Sequence, residues 1–348
     1  MPAWTPAPPT HESTHHHGAT HHLVCHPPPH FLPPGARRKM TKPTESLVHD
    51  AKVAEVGGFR VRRALPRRGL RTVGAWCFAD HMGPEVVTET SGLDVGPHPH
   101  IGLQTVTWLV EGAVLHTDSL GSEQLIRPGQ LNLMTAGRGI AHAEESVRTT
   151  GTLHGVQLWI AQPSTTRDGA SAFAHHADLP RIDVGHGTAT VFIGEYAGAV
   201  SEARADTPVV GMEADLRAGT SVWPLRPDFE YAVYVISGAL QIGGAVASTG
   251  GPLAIPAREG QLVDLRIHGD EITLAVSDAA RLLILGGEPL DEPLYMWWNF
   301  VGRSREEIAQ AAQDWAAYVE TGAHATEGTE RFTRVTSSLT PMRAPELT

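Results

Sequence analysis

Between Gly96 and Glu144, glycine and proline cut the chain into apolar runs too short to be helices. A run over 101–110 stops at Glu111-Gly112. A second, over 113–118, turns at Gly121, and Leu125-Ile126 stops at Pro128-Gly129. Leu131-Asn132-Leu133-Met134 then leads into the Gly137/Gly139 turn. Short strands at a spacing of roughly 8–12 residues, separated by such breakers, build antiparallel barrels and jelly rolls. An all-β fold is expected, and it restricts what the polar residues here can do.

The stretch opens with Gly96-Pro97-His98-Pro99-His100 and closes with Gly137-Arg138-Gly139-Ile140-Ala141-His142-Ala143-Glu144. Each end carries two side chains of metal-ligand type at i, i+2, and in a strand such a pair points to one face. His98 with His100, and His142 with Glu144, can therefore meet inside one barrel as three imidazoles and a carboxylate. Pro99 cannot donate a ladder hydrogen bond, which puts the first pair at a strand start or sheet edge, near a barrel mouth. Such donors suit one divalent ion, Fe(II), Mn(II), Ni(II), Co(II), Cu(II) or Zn(II), and no thiolate favours softer choices. Four protein ligands on a six-coordinate ion leave two positions for substrate and O2. His81 is a fifth ligand candidate, better read as a turn cap or a supporting residue. His116 and His154 are read as lacking a partner pair, and so as core or supporting residues.

Composition narrows the rest. The 348 residues, 41% hydrophobic with 36 glycines and 26 prolines, suffice for one large core or two ordinary ones. No apolar run approaches the roughly 18 residues that span a bilayer. No charged start followed by an apolar core marks a secretory signal. A net charge of −11 has the wrong sign for a nucleic-acid groove. Cys25 and Cys77 are too few for a disulfide framework, which points to a reducing, cytoplasmic setting with Cys77 as a small core residue. Residues 1–45, rich in proline and holding eight histidines, read as a disordered tail in preference to a metal-scavenging arm, with Met40 an alternative first residue. Folded character begins near Ser46. The run Phe59–Leu65 alternates apolar and basic residues as a half-exposed strand. The arginines of 60–71 read as solvated faces of two short strands, 72–78 as a buried strand, and Asp80-His81-Met82-Gly83-Pro84 as a turn.

Several motifs now fall into one order. They are Asp80-His81-Met82-Gly83-Pro84, Pro97-His98-Pro99-His100 with Gly102, and Thr135-Ala136-Gly137-Arg138-Gly139-Ile140 with His142 and Glu144. Leu153-His154-Gly155 with Gln157-Leu158-Trp159, and Gly286-Gly287-Glu288-Pro289-Leu290, follow. Together they closely resemble the pirin family over most of residues 46–316. The resemblance implies a bicupin, two cupin (jelly-roll) β-barrels in tandem. An N-terminal cupin over 46–170 would hold one divalent metal on His98, His100, His142 and Glu144, with Fe(II) the first choice. A C-terminal cupin over 171–348 would have no metal site. Many pirins and other cupins carry a glutamate where this chain has Gln104, which leaves Glu144 the only carboxylate of the set. Gln104 is expected to hydrogen-bond a bound water or substrate.

Beyond a polar, Pro- and Gly-rich connection over 163–190, Tyr234-Val235-Ile236-Ser237-Gly238-Ala239-Leu240 echoes Trp108-Leu109-Val110-Glu111-Gly112-Ala113-Val114. Aligning the echoes sets Pro224 and Arg226 where His98 and His100 stand, and Asp264 and Arg266 opposite His142 and Glu144. The second barrel thus repeats the architecture without the ligands. An ungapped shift that brings His268 and Asp270 there is set aside because the second hairpin is shorter. Ser304 with Glu307 forms a capping-box pattern. Ile308, Ala311, Ala312 and Trp315 lie at helical spacing, giving one amphipathic helix over 304–318. Trp297, Trp298 and Trp315 are expected to be packing anchors, and 320–348 to wrap the surface or fray.

Two functions follow from the resemblance. Some pirins are similar to quercetin 2,3-dioxygenases, which open a flavonol with O2 and release carbon monoxide. That implies an oxidoreductase with a small aromatic substrate and Glu144 as catalytic base. Other pirins look like regulators whose iron state changes affinity for a protein partner, without turnover. Opportunistic metal binding is the bland third reading. In each the chain is expected to be a cytoplasmic monomer without nucleic-acid or membrane contacts.

Overall fold

A computed structural model describes residues 47–148, 151–245, 252–265, 270–321 and 331–347. The 1–45 tail, Arg266 and His268 lie outside the described residues, as do 322–330. Within them the chain is all-β, with two barrels and one helix. The N-terminal barrel sets a seven-stranded sheet against a four-stranded one. Leu103–Glu111 and Thr152–Ala161 run side by side in the larger sheet, buried along most of their length. Such continuous burial belongs to strands covered on both faces. The smaller sheet runs in the order Asp94–His100, Ile140–Ser146, Val114–Asp118, Glu123–Ile126, every pairing antiparallel. The C-terminal barrel is an eight-stranded sheet centred on Val209–Pro224, Glu271–Gly287 and Glu230–Ala245.

One core joins the barrels. Trp76, Trp108 and Leu158 from the first pack with Phe192, Tyr234, Leu283 and Leu285 from the second. The Trp76 indole N–H donates to the carbonyls of Val210 (3.2 Å) and Gly286 (3.1 Å), and that of Trp108 to Glu213 (3.0 Å). Gly211 allows this approach, since a Cβ there would sit 2.3 Å from Phe192 and 2.8 Å from Trp76.

The ends of the described chain cross over. Val48–Asp50 pairs with Gln261–Leu265 in the C-terminal sheet. Beyond residue 290 the chain returns to the first barrel. A hairpin of Tyr295–Trp297 with Phe300–Gly302, the helix Arg305–Thr321 and the segment 331–347 form a cluster with Ile101, Ala141 and Ala143. Ser304 Oγ accepts the Glu307 N–H (3.2 Å) and Glu307 Oε2 accepts the Arg303 N–H (2.8 Å), so the helix starts as its sequence signals. Trp298 and Trp315 are buried, and Trp315 donates to the Met342 carbonyl (2.7 Å). Both are packing anchors.

Three local expectations need correcting. Asp80-His81-Met82-Gly83-Pro84 is no turn. It lies within Trp76–Val86, where an irregularity opposite Leu153 and Gly155 absorbs the Gly-Pro step while the ladder continues. Arg63 is not solvated but buried, with its guanidinium in a two-point contact to Asp80 (2.8 and 2.7 Å). The 163–190 connection contributes Ala172–His176 to an edge of the first barrel's larger sheet and Arg181–Asp183 to an edge of the second.

Candidate metal centre

The two i, i+2 pairs lie on neighbouring strands. His142 is the direct cross-strand partner of His98, and Ile140 that of His100. Asp94–His100 is an edge strand, and Pro99 stands opposite Ala141 near its end. A bulge between His142 and Glu144 breaks the register there. The ring centroids of His98 and His142 are 4.3 Å apart, those of His100 and His142 5.0 Å, and those of His98 and His100 5.0 Å. One ligand atom from each of the three imidazoles lies within 4.8 Å of the others. A second such group, His116 with His142 and Glu144, shares His142. Glu144 therefore sits on the His116 side of His142, yet it lines the same cavity as His98 and His100.

The donor set fits a divalent ion. His98 Nδ1 faces the Gly96 carbonyl (2.9 Å) and His100 Nδ1 the Asn299 carbonyl (3.0 Å). A carbonyl only accepts, so each Nδ1 carries the proton and each Nε2 keeps a free lone pair. His100 Nε2 and His142 Nε2 are 3.0 Å apart. Neighbouring ligands about 2.1 Å from one ion stand about 3 Å apart when at right angles. Burial drives the pKa of His98 down to about 4 and those of His100 and His142 well below the usual value, so all three imidazoles are neutral, as ligation requires. Burial raises the pKa of Glu144, opposed by the neighbouring His116 and by a hydrogen bond from Thr107 Oγ1 (3.2 Å). A cation beside it would reverse that shift.

A cavity leads to this cluster between the two sheets. Phe78 and Trp159 stack on its wall, with centroids 4.0 Å apart at 14°, and Val61, Met82, Leu93, Val95, Asp80, Asn299 and Met342 are among the other residues that line it. About 50 Å³ is open to the centres of water molecules, room for only a few. The 331–347 segment packs against the cavity through Met342, whose N–H donates to the Pro97 carbonyl (2.8 Å). A Cβ at Gly96 would come within 2.2 Å of the Thr340 carbonyl oxygen, so this glycine permits the segment's close approach.

The remaining candidates fall elsewhere. His81 and His154 meet outside the cluster, against Tyr234 of the second barrel. His81 Nε2 lies 2.7 Å from His154 Nε2, and His81 Nδ1 2.9 Å from the Tyr234 hydroxyl. Gln104 does not face the cavity. Its amide nitrogen donates to Thr135 (3.0 Å) and to the Arg204 carbonyl (3.2 Å) because its strand turns that side chain towards the second barrel. Cys77 is fully buried and its pKa is pushed up to about 12, as an inert core thiol. Arg226, aligned above with His100, is exposed and paired with Asp228. His116 lies against His142, with the two Nδ1 atoms 3.3 Å apart, and its Nε2 meets Asp118 Oδ2 at 3.2 Å. Asp118 was missed in sequence although the signal was present, for His116 and Asp118 are a third i, i+2 pair. Asn299 and Met342 act near the site through their backbone and carry no such signal.

Acid should destabilise the metal-free protein. His98 (about 4) and His81 (about 2, depressed by burial and then by Arg62) stay neutral where the unfolded chain takes up protons near 6.5. The unfolded state then binds more protons, so stability falls as pH drops below about 6.5, by up to about 1.4 kcal/mol per pH unit for each such group. Melting temperatures of metal-free protein between pH 7 and 5 test this; a flat profile would contradict it.

Two tandem jelly-roll barrels, the first with three imidazoles and a carboxylate gathered on paired strands, define a bicupin with a metal-type donor set. The pirin profile matches residues 58–160, and that of the pirin C-terminal cupin domain residues 211–319. The chain belongs to the pirin family. It is 45% identical to a Pseudomonas aeruginosa protein named "Putative quercetin 2,3-dioxygenase" over 82% of this chain and 85% of that one. It is 35% identical to a pirin-like protein of Caulobacter vibrioides over 78% and 93%. Among solved structures, a quercetin 2,3-dioxygenase from Acinetobacter baumannii superposes with a TM-score of 0.76 at 39% identity, covering 86% of this chain and 95% of that one. Among the described residues no helix is long and apolar enough to cross a membrane.

Proposed function

We propose that this bicupin is a metal-dependent dioxygenase of quercetinase type, with His98, His100, His142 and Glu144 holding one divalent ion, Fe(II) first. The observation that carries the proposal is the grouping of three neutral imidazoles, with buried Glu144 grouped on the shared His142, beside a cavity lined by His98, His100 and Glu144. Similarity to the Pseudomonas and Acinetobacter proteins supports the flavonol-like substrate class. The bound ion would supply Lewis acidity that lowers the pKa of a substrate hydroxyl. Glu144, buried and hydrogen-bonded by Thr107, is the carboxylate placed to accept that proton. Phe78 and Trp159, stacked on each other, and Met342 line the cavity with apolar surface against which a substrate could pack.

Aerobic incubation of the iron, nickel and copper forms with quercetin tests this. Loss of the flavonol absorbance with O2 uptake and carbon monoxide release is expected. Glu144→Gln should slow turnover about 10²- to 10⁴-fold while metal remains bound. If no metal form outpaces His142→Ala, the enzymatic reading fails. The narrowness of the cavity favours one competing reading, an iron-state switch that binds a protein partner without turnover. Equal capture of partners by ferrous, ferric and metal-free protein would rule that out.

A further inference from the structure

The small sheet carries a third pair of chemistry-bearing residues, on the strand beyond the candidate ligands. Asp118 stands directly opposite His142, and His116 directly opposite Glu144. Both are 2% exposed. His142 Nδ1 lies 3.3 Å from His116 Nδ1, and His116 Nε2 lies 3.2 Å from Asp118 Oδ2. The other carboxylate oxygen of Asp118 accepts the N–H groups of Leu120 and Ser122, each at 2.9 Å, which fixes the aspartate. Phe173 stacks on the His116 ring at 4.4 Å and 14°, which fixes its plane.

Proton bookkeeping along this line has one consistent solution with neutral rings. A carboxylate cannot donate, so His116 Nε2 carries a proton towards Asp118. His116 Nδ1 is then an acceptor, and His142 Nδ1 must donate to it. His142 Nε2 is left with a lone pair facing His100 Nε2 at 3.0 Å. The Asn299 carbonyl has already fixed that nitrogen as a lone pair. Two lone pairs facing each other at this distance repel unless a cation lies between them.

We propose that Asp118 and His116 are positioning residues that set the tautomer of His142, so that its Nε2 faces a metal ion. The inference rests on the metal-binding reading of the cluster. A carboxylate behind a ligating imidazole raises its basicity and fixes its orientation, and loss of such a partner typically costs 10- to 100-fold in metal affinity. In Asp118→Asn the amide oxygen can still cap Leu120 and Ser122, while the amide nitrogen turns a donor towards His116 Nε2. The tautomer inverts, and His116 Nδ1–H then confronts His142 Nδ1–H. His116→Phe keeps the ring shape and the stack on Phe173 but removes the relay altogether.

The test titrates the full chain with Co(II) against a competing chelator, recording the visible spectrum of the bound ion and the melting temperature of each metal-free variant. Asp118→Asn should weaken Co(II) binding 10- to 100-fold and change the spectrum, with the metal-free melting temperature held. His116→Phe should weaken it less, because it creates no facing donors. The double variant should match His116→Phe alone, since Asp118 acts only through His116. Additive losses, or an Asp118→Asn affinity within twofold of wild type, would overturn the inference. Complete loss of Co(II) in His116→Phe would make His116 a ligand and overturn it as well. If wild type takes up no Co(II), the metal-binding reading itself falls; if wild type binds and the variants do not differ, only the relay falls.

Discussion

Replacing His142 with alanine should abolish the gain in thermal stability that a divalent metal gives the wild-type chain. An ion that binds the folded state alone stabilises it by about 2.7 kcal/mol at a hundredfold excess over its dissociation constant. At about 2–4 °C per kcal/mol for a large domain, the melting temperature should rise by roughly 5–10 °C. His142 is the residue common to both donor groups, so its loss leaves neither complete. The metal-free variant should itself melt lower, since truncating a buried ring leaves a cavity and strands the His116 partner, so the comparison reads the metal-induced increment within each protein. Scanning fluorimetry with and without metal, together with metal content after dialysis, measures both effects. A variant that keeps the wild-type increment would remove His142 from the site.

The second large effect belongs to Trp76. Its indole is fully buried between the barrels and donates to two carbonyls of the second. Trp76→Ala should cost about 3–5 kcal/mol from lost burial and cavity formation, lowering the melting temperature by roughly 10 °C. Trp76→Phe separates the contributions, since it keeps most of the apolar volume and deletes the N–H, at about 1–3 kcal/mol. Because the barrels share one core, calorimetry of wild type should show a single transition, and Trp76→Ala should lower it as a unit. Two resolved transitions in wild type, or a loss below about 1 kcal/mol in the alanine variant, would mean that the barrels fold independently.

Local rules made much of this molecule legible before its structure. The Gly and Pro punctuation between Gly96 and Glu144 marks short strands because turn chemistry is local. The i, i+2 spacing of His98, His100, His142 and Glu144 fixes a common face because the pleat has a period of two. Partners distant in sequence were not legible. Arg63 looked solvated because Asp80, the residue that allows its burial, lies on the next strand. Gly83-Pro84 looked like a turn because no local signal reports the strand holding it in a ladder. Gln104 was aimed at the site by analogy, whereas its amide is taken up by Thr135 and the Arg204 carbonyl. Asp118 was legible by the same spacing rule that found the other two pairs.

The carbonyl of Asn299 that holds His100 is 199 residues further along the chain. At about 5–20 residues per second of synthesis, that separation is roughly 10–40 s. During that interval the strands bearing His98, His100 and His142 can already be outside the ribosome, while the hairpin, helix and 331–347 segment that seat and cover them are still to come. Until Asn299 is made, His100 lacks the carbonyl that orients its ring. The strands of the cluster and the hairpin that seats His100 are thus separated in time of synthesis as well as in sequence.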